Sequence, residues 1–288
     1  VWFVRILQTS DAILSLKQSG NWVALQGVEL LTMLVAAAFG ALFSLLLSFA
    51  SINLRADQTI GGTALNQFAP AFAVVMTWAI QGQGLTTIFI PNWVRITRDS
   101  FGLAPVDGPS FWNNLIFKYF YLTTPVAIVL FIAAYIVMYK TRFGLRLRAC
   151  GEHPQAADSV GINVYRMRYA GVLISGLLGG LGGIVYITAG VSVWKFENGV
   201  AGFGFLALAV MIFGAWHPLK IALAALLFGF CRALGNVYSG FDFLLNMNIP
   251  SVVYNMLPYI ISLVVLAFTS KKSRAPKAEG IPYDKGSR

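Results

Sequence analysis

The run "ELLTMLVAAAFGALFSLLLSFASINL", from Glu29 to about Leu54, is long and apolar enough to cross a lipid bilayer, since a membrane helix needs about 20 predominantly apolar residues. Such a run restricts the fold severely. Backbone polar groups in hydrocarbon must be paired within the protein, and a helix pairs its own. Further spans are expected at about 59–80, 121–139, 169–191 and 203–216, from the His217-Pro218 break to about Val237, and at about 252–268. The fifth of these is short, and the second holds Gly61, Gly62, Asn66, Gln67 and Pro70. Only 11% of the chain is charged and 57% is hydrophobic, whereas a soluble domain carries about 25% charged residues. The expected fold class is all-α, a polytopic helical membrane protein with about seven to eight transmembrane helices. Residues 1–270 read as one transmembrane domain and residues 271–288 as a basic tail. The opening "VWFVRIL" ends a span or lies in the interface. It lacks the basic region and cleavage site of a signal peptide.

The net charge of +10 does not point to nucleic acid. The cations form two clusters, each beside an apolar run. One comprises Lys140, Arg142, Arg146, Arg148, Arg166 and Arg168, and the other lies in the tail after Ser270. Basic clusters of this kind mark the cytoplasmic side, and no basic-aromatic stacking pattern accompanies them. Four expected spans separate the two clusters, an even number, so both fit one side. The segments 81–118, 192–202 and 239–250 then lie outside and Lys220 inside.

The chain has no G-x-x-x-x-G-K-[ST], no dinucleotide fingerprint, no H-E-x-x-H and no G-x-S-x-G. Its two histidines, His153 and His217, and two cysteines, Cys150 and Cys231, are scattered, so neither a metal site nor a disulfide framework is expected. No catalytic residues are assigned, and the chain does not read as an enzyme. A membrane-embedded enzyme would need paired catalytic groups at the membrane face. An ion-coupled secondary transporter would need ionisable groups at mid-membrane. Apart from Arg232, near a span end, the expected spans lack them.

Gly171, Ser175, Gly179 and Gly183 recur every four residues, with Gly176 and Gly180 alongside. Small residues at this spacing let a second helix approach closely, so the stripe is assigned to helix packing. The other reading is a wall of a translocation path. Asn66, Gln67, Arg232, Asn236 and Asn255 are the candidate functional polar groups inside spans. Arg232 is expected to snorkel or to bond another helix.

Between the third and fourth spans lies "GEHPQAADSVG", Gly151 to Gly161. Pro154 suits the first position of a helix and Gly161 the left-handed position past its end. A helix of about two turns, Pro154 to Val160, is expected there, within a cytoplasmic loop at 140–168 framed by arginines. It is either a lever between two spans or an ordinary connector whose arginines set topology.

The segment "FGLRLRACGEHPQAADSVGINVYRMRYAGVLISGLLGGLGGIVY" closely resembles the permease subunits of bacterial ABC importers. The likeness is to the ribose and simple-sugar branch, and most of all to nucleoside-importer permeases. "LRADQTIGGTALN", "AGFGFLALAVMIFGAWHPLK" and the closing "GIPYDKGSR" carry the same resemblance, which extends over about Leu54 to Arg288. The family's first span and its N-I-G-x-E-G-like segment are not found, so residues 1–28 are either divergent or the start of a fragment. The resemblance implies a multi-pass protein of the bacterial cytoplasmic membrane that forms a translocation path for nucleosides, or alternatively for a ribose-like sugar. It implies three protein partners besides the lipid bilayer: an ABC ATPase subunit carrying ATP and Mg, a second permease that is the same or a related chain, and a substrate-binding protein outside. No cofactor is expected on this chain. Glu152, His153, Ala156, Ala157, Asp158 and Gly161 are implied as the ATPase-coupling residues, and Arg142, Arg146 and Arg148 as anchors of the loop. Asn66, Gln67 and Asn255 are the candidates for the path.

Overall fold

A computed structural model describes residues 10–82, 84, 87–96, 120–190, 193–195, 202–237 and 275–285, with scattered positions between 253 and 264. The expected span at 252–268 lies largely outside the described residues. The described helices are α1 (Asp11–Gln18), α2 (Trp22–Ser48), α3 (Gln58–Gln81), α4 (Thr123–Lys140), α5 (Arg142–Glu152), α6 (Pro154–Ser159), α7 (Val164–Gly190), α8 (Phe203–Phe213) and α9 (Pro218–Val237). Among the described residues five helices are long and apolar enough to cross a membrane: Trp22–Asn53, Gln58–Ile80, Thr123–Lys140, Val164–Ala189 and Pro218–Gly235. The chain is therefore an all-α, multi-pass protein. The first of these starts seven residues before Glu29, because Asn21 caps it, its side chain accepting from the Ala24 N–H at 3.2 Å.

The chain divides into two compact units, 1–199 with 280–288, and 200–279. In the first, α2 and α7 form the most extensive helix interface. Their backbones nearly touch. A Cβ on Gly180 would strike the Ala36 carbonyl, and one on Gly40 would strike the Gly176 carbonyl and lie 2.8 Å from the Gly180 nitrogen. Met33, Ala37 and Leu181 are buried beside this crossing, with Val126 and Leu130 of α4 packed on them. The packing stripe expected at Gly171, Ser175, Gly179 and Gly183 needs correction. Ser175 and Gly179 are exposed, a Cβ on Gly179 or Gly183 would meet nothing within 4 Å, and Gly171 faces only Leu147. The close approach uses the neighbouring row, Gly176 and Gly180, about 100° further round the helix. Spacing alone does not say which of two adjacent glycine rows meets the partner.

Three buried hydroxyls on α2, its π-helical end and α3 satisfy themselves locally. Ser48, Ser51 and Thr77 each donate to the carbonyl four residues earlier, at 2.9, 2.8 and 2.6 Å. The end of α2 widens into one π-helical turn, Phe49–Asn53. Pro70 sits inside α3, and Phe43 packs on Phe68 and Phe72 to hold α3 against α2.

The two ends of the first unit are built differently. At one, short strands join the inter-helix connections. β1 (Thr87–Phe89) pairs antiparallel with β4 (Val193–Lys195), and β2 (Arg95–Ile96) with β3 (Phe120–Tyr121). The segments after α3 and after α7 therefore meet, as expected of two loops on one side. The other end gathers α5, α6, the start of α7 and the closing segment Gly280–Lys285.

In the second unit, α8 has 11 residues, about 16 Å long, and does not bridge a hydrocarbon core of about 30 Å. Its expected role as a full span is corrected accordingly. The chain turns at Ala215 and Trp216, both with positive φ (49° and 61°), before Pro218 opens α9. Val210, Ala224 and Phe228 form the core of this pair. Arg232 lies 4.9 Å over the Phe203 ring, so helix-to-helix contact, through an aromatic face, is what it makes.

Candidate functional site: the basic end of the first unit

The site begins with two caps. Thr141 accepts from the Gly144 N–H at 3.2 Å and starts α5, and the Asn163 side chain accepts from the Arg166 N–H at 3.0 Å and starts α7. Between them α6 spans Pro154–Ser159, with Pro154 in its first turn. Gly161 follows at φ +83°, a conformation that glycine adopts without strain. The short helix read from the sequence is present, one residue shorter at its end.

Its two alanines face opposite ways. Ala157 is 4% exposed and packs with Cys150, Val164 and Tyr283. Ala156 is exposed, as are Glu152, His153, Gln155, Ser159 and Gly161. Val160 is 74% exposed, a large apolar side chain left uncovered among the described residues. Of the expected coupling residues, Glu152 closes α5, His153 is the single residue between the helices, and Asp158 is half-buried beneath the closing segment. Of the arginines expected to anchor the loop, Arg148 stacks on Tyr139 at 4.5 Å, while Arg142 and Arg146 are exposed.

The closing segment is docked. Tyr283 is 5% exposed, its ring 5.3 Å from that of Tyr165 in an edge-on arrangement. Burial, together with the neighbouring Asp158 carboxylate, pushes its phenol above the ordinary range. Arg168 donates to the Ile281 carbonyl at 2.9 Å and lies 5.9 Å over the Tyr283 ring. Arg55 forks onto Asp284 with bonds of 3.0 and 3.1 Å. Cys150 is buried, and burial pushes its thiol up, opposed by the nearby Arg168; a buried thiol with a raised pKa is expected to react slowly. Sequence reasoning noted the G-x-P-Y ending but gave it no place in the site. The signal was there, in one aromatic among charges.

Beside this cluster a cleft of about 670 Å³ opens between the end of α2 and the start of α7. Asn53, Arg55, Asn163, Tyr165, Arg166 and Tyr169 are among its lining residues. Tyr169 and Asn53 close one wall with a 2.6 Å hydrogen bond, which the π-turn makes reachable. Asp57, at the start of α3, accepts from the Ile60 and Thr59 N–H groups, and these bonds hold its carboxyl below the usual range.

The path candidates Asn66 and Gln67 sit exposed on α3. Pro70 has no N–H to offer the Asn66 carbonyl four residues earlier, which adds a polar group at the same level. Asn255 lies outside the described residues. Glu29 was missed as a site. It lies inside α2, is 2% exposed, and neither carboxylate oxygen has a partner among the described residues. It faces a cavity of about 40 Å³ that Thr32, Trp93 and Thr188 also line. An acid among leucines was visible in the sequence, but it was read as the edge of a span.

The long apolar helices define a multi-pass membrane protein. The sequence matches, over residues 12–268, the family described as the permease component of branched-chain amino acid transport systems, and the chain belongs to that family. It is 42% identical over 258 residues to the guanosine ABC transporter permease protein NupQ of Bacillus subtilis (strain 168), covering 90% of this chain and 78% of that one. It is 43% identical over 258 residues to the nucleoside ABC transporter permease protein NupC of Lactococcus lactis subsp. cremoris (strain MG1363), covering 88% and 78%. A glucose ABC transporter permease protein of Haloferax volcanii is 28% identical over 221 residues, covering 73% of this chain and 56% of that one. These relatives are transport components rather than enzymes. No solved structure matches the chain.

Proposed function

We propose that this chain is the membrane-spanning subunit of an ATP-driven importer of nucleosides in a bacterial cytoplasmic membrane. The observation that carries the reading is the pair of relatives at 42% and 43% identity, whose names specify guanosine and nucleosides, against 28% for the glucose permease. In this reading a separate ATPase, which holds ATP and Mg, docks on the exposed surface around α6 formed by Glu152 of α5, His153, Ala156 of α6 and Val160 just past its end. A second permease, the same or a related chain, completes the path, and a substrate-binding protein delivers ligand from the strand end. The exposed Asn66 and Gln67 of α3 supply polar contacts along the path. Binding of ATP to the partner moves α6, and directed transport follows because the ligand favours one state over the other.

Uptake of labelled guanosine, with and without the gene, tests the substrate. Loss of uptake on deletion, competed by excess uridine but not ribose, is expected. Guanosine uptake that survives deletion, with ribose uptake lost instead, would assign the chain to sugars. Ala156→Trp tests the docking face, because a bulky side chain there meets only the partner. It should abolish uptake while leaving the protein folded in the membrane.

A further inference from the structure

The closing segment touches three elements that otherwise have little in common. Tyr283 packs with Ala157 of α6 and with Val164 and Tyr165 of α7. Ile281 takes the Arg168 donor from α7. Asp284 holds Arg55, two residues before the cap of α3. Between α6 and α3 themselves the described residues show no comparable link. Residues 54–57 run directly from the π-turn of α2 into α3, which carries the exposed polar level at Asn66 and Gln67. Arg55 holds φ at +53°, an uncommon conformation for a side-chain-bearing residue. Its guanidinium forks onto the carboxylate in the two-bond geometry that gives directional hold.

We propose that Gly280–Lys285 is a strap that positions α3 for transport. It ties the coupling helix α6 to the start of α3, so that a displacement of α6 is delivered to α3 as well as to α7. Tyr283 and Asp284 are its positioning residues, the first gripping α6 and the second gripping Arg55. This rests on the reading of α6 as the helix that meets the ATPase. The ion pair is solvent-exposed, with side chains 56% and 41% accessible, and such pairs add little to stability. Its purpose is then sought in transmission of movement, and breaking it should leave the fold in place.

The test uses the whole transporter with its ATPase in proteoliposomes, carrying Cys231→Ser so that Cys150 is the only thiol of this chain. Three variants are compared: Arg55→Asp, Asp284→Arg, and the two together. Each single variant should lower guanosine uptake per ATP hydrolysed by about three- to fivefold, the size an exposed ion pair can carry. The reversed pair should restore it. Cys150, packed in the Tyr283 cluster, should react faster with a maleimide in each single variant and at the original rate in the reversed pair. Wild-type uptake and Cys150 reactivity in both single variants would overturn the strap, as would a reversed pair no better than the singles. Ala156→Trp separates the two readings. If it abolishes uptake while Arg55→Asp does not reduce it, the strap alone fails. If Ala156→Trp transports normally, the coupling-helix reading fails and the strap with it.

Discussion

The two ends of the first unit are closed by different chemistry. At the strand end, connections are joined backbone to backbone through β1–β4 and β2–β3. Polar side chains there are left over: both Glu29 oxygens, Gln26 Oε1 and Thr123 Oγ1 have no partner among the described residues. At the basic end, contacts are made by particular side chains: Arg55 with Asp284, Tyr169 with Asn53, and Arg168 with the Ile281 carbonyl. Backbone pairing tolerates most substitutions, since every residue but proline offers the same groups. A side-chain pair is lost with one change. The basic end is thus the more specified of the two.

The largest expected effect comes from the crossing that joins the two ends. Gly180→Leu drives a side chain into the Ala36 carbonyl and should cost ~3 kcal/mol or more. Thermal unfolding in detergent should show it, with Cys150 exposed in the same transition. If Cys150 stays protected, the basic end folds without the crossing and the ends are independent.

Glu29→Met sharpens the contrast in the opposite direction. It removes a buried, unpartnered carboxyl and should raise stability by about 1–3 kcal/mol, read as a higher midpoint in the same assay. A fall would mean that the carboxyl has a partner of value at the strand end.

The smallest effect is a pH response confined to the basic end. Burial and the adjacent Asp158 carboxylate raise the Tyr283 phenol above its ordinary range, so the docked segment favours the neutral form. Docking is then fully present below the ordinary phenol range, near pH 10, and is lost as pH rises through the raised value. Cys150 alkylation should accelerate over that alkaline interval in the wild type. The part due to Tyr283 ionisation should vanish in Tyr283→Phe, which cannot ionise. An equal rise in both proteins would remove the phenol from the explanation.

Much of this was legible in the residues. The apolar runs marked the long helices, because each must bury its own backbone bonds. The Pro154 and Gly161 punctuation marked α6, because those residues carry their conformational preferences with them. The residues expected to couple were legible as a segment but not as a surface. Nothing local distinguishes Ala156 from Ala157, yet one faces outward and the other packs under Tyr283. The glycine stripe failed for the same reason, since two rows of small residues lie side by side on α7. The short α8 was counted as a span because its composition is that of one, while its ending depends on the turn at Ala215 and Trp216.

The sequence by itself determined the class of protein, the long apolar helices and the place of the short helix between two of them. These follow from composition, period and punctuation, all properties of neighbours in the chain. Only the tertiary structure decided which glycines meet α2, which alanine is bare, and that Tyr283 and Asp284 return to residues 125 and 229 positions earlier, Asp158 and Arg55. Contacts between distant segments depend on the packing of whole helices, and no local pattern encodes that.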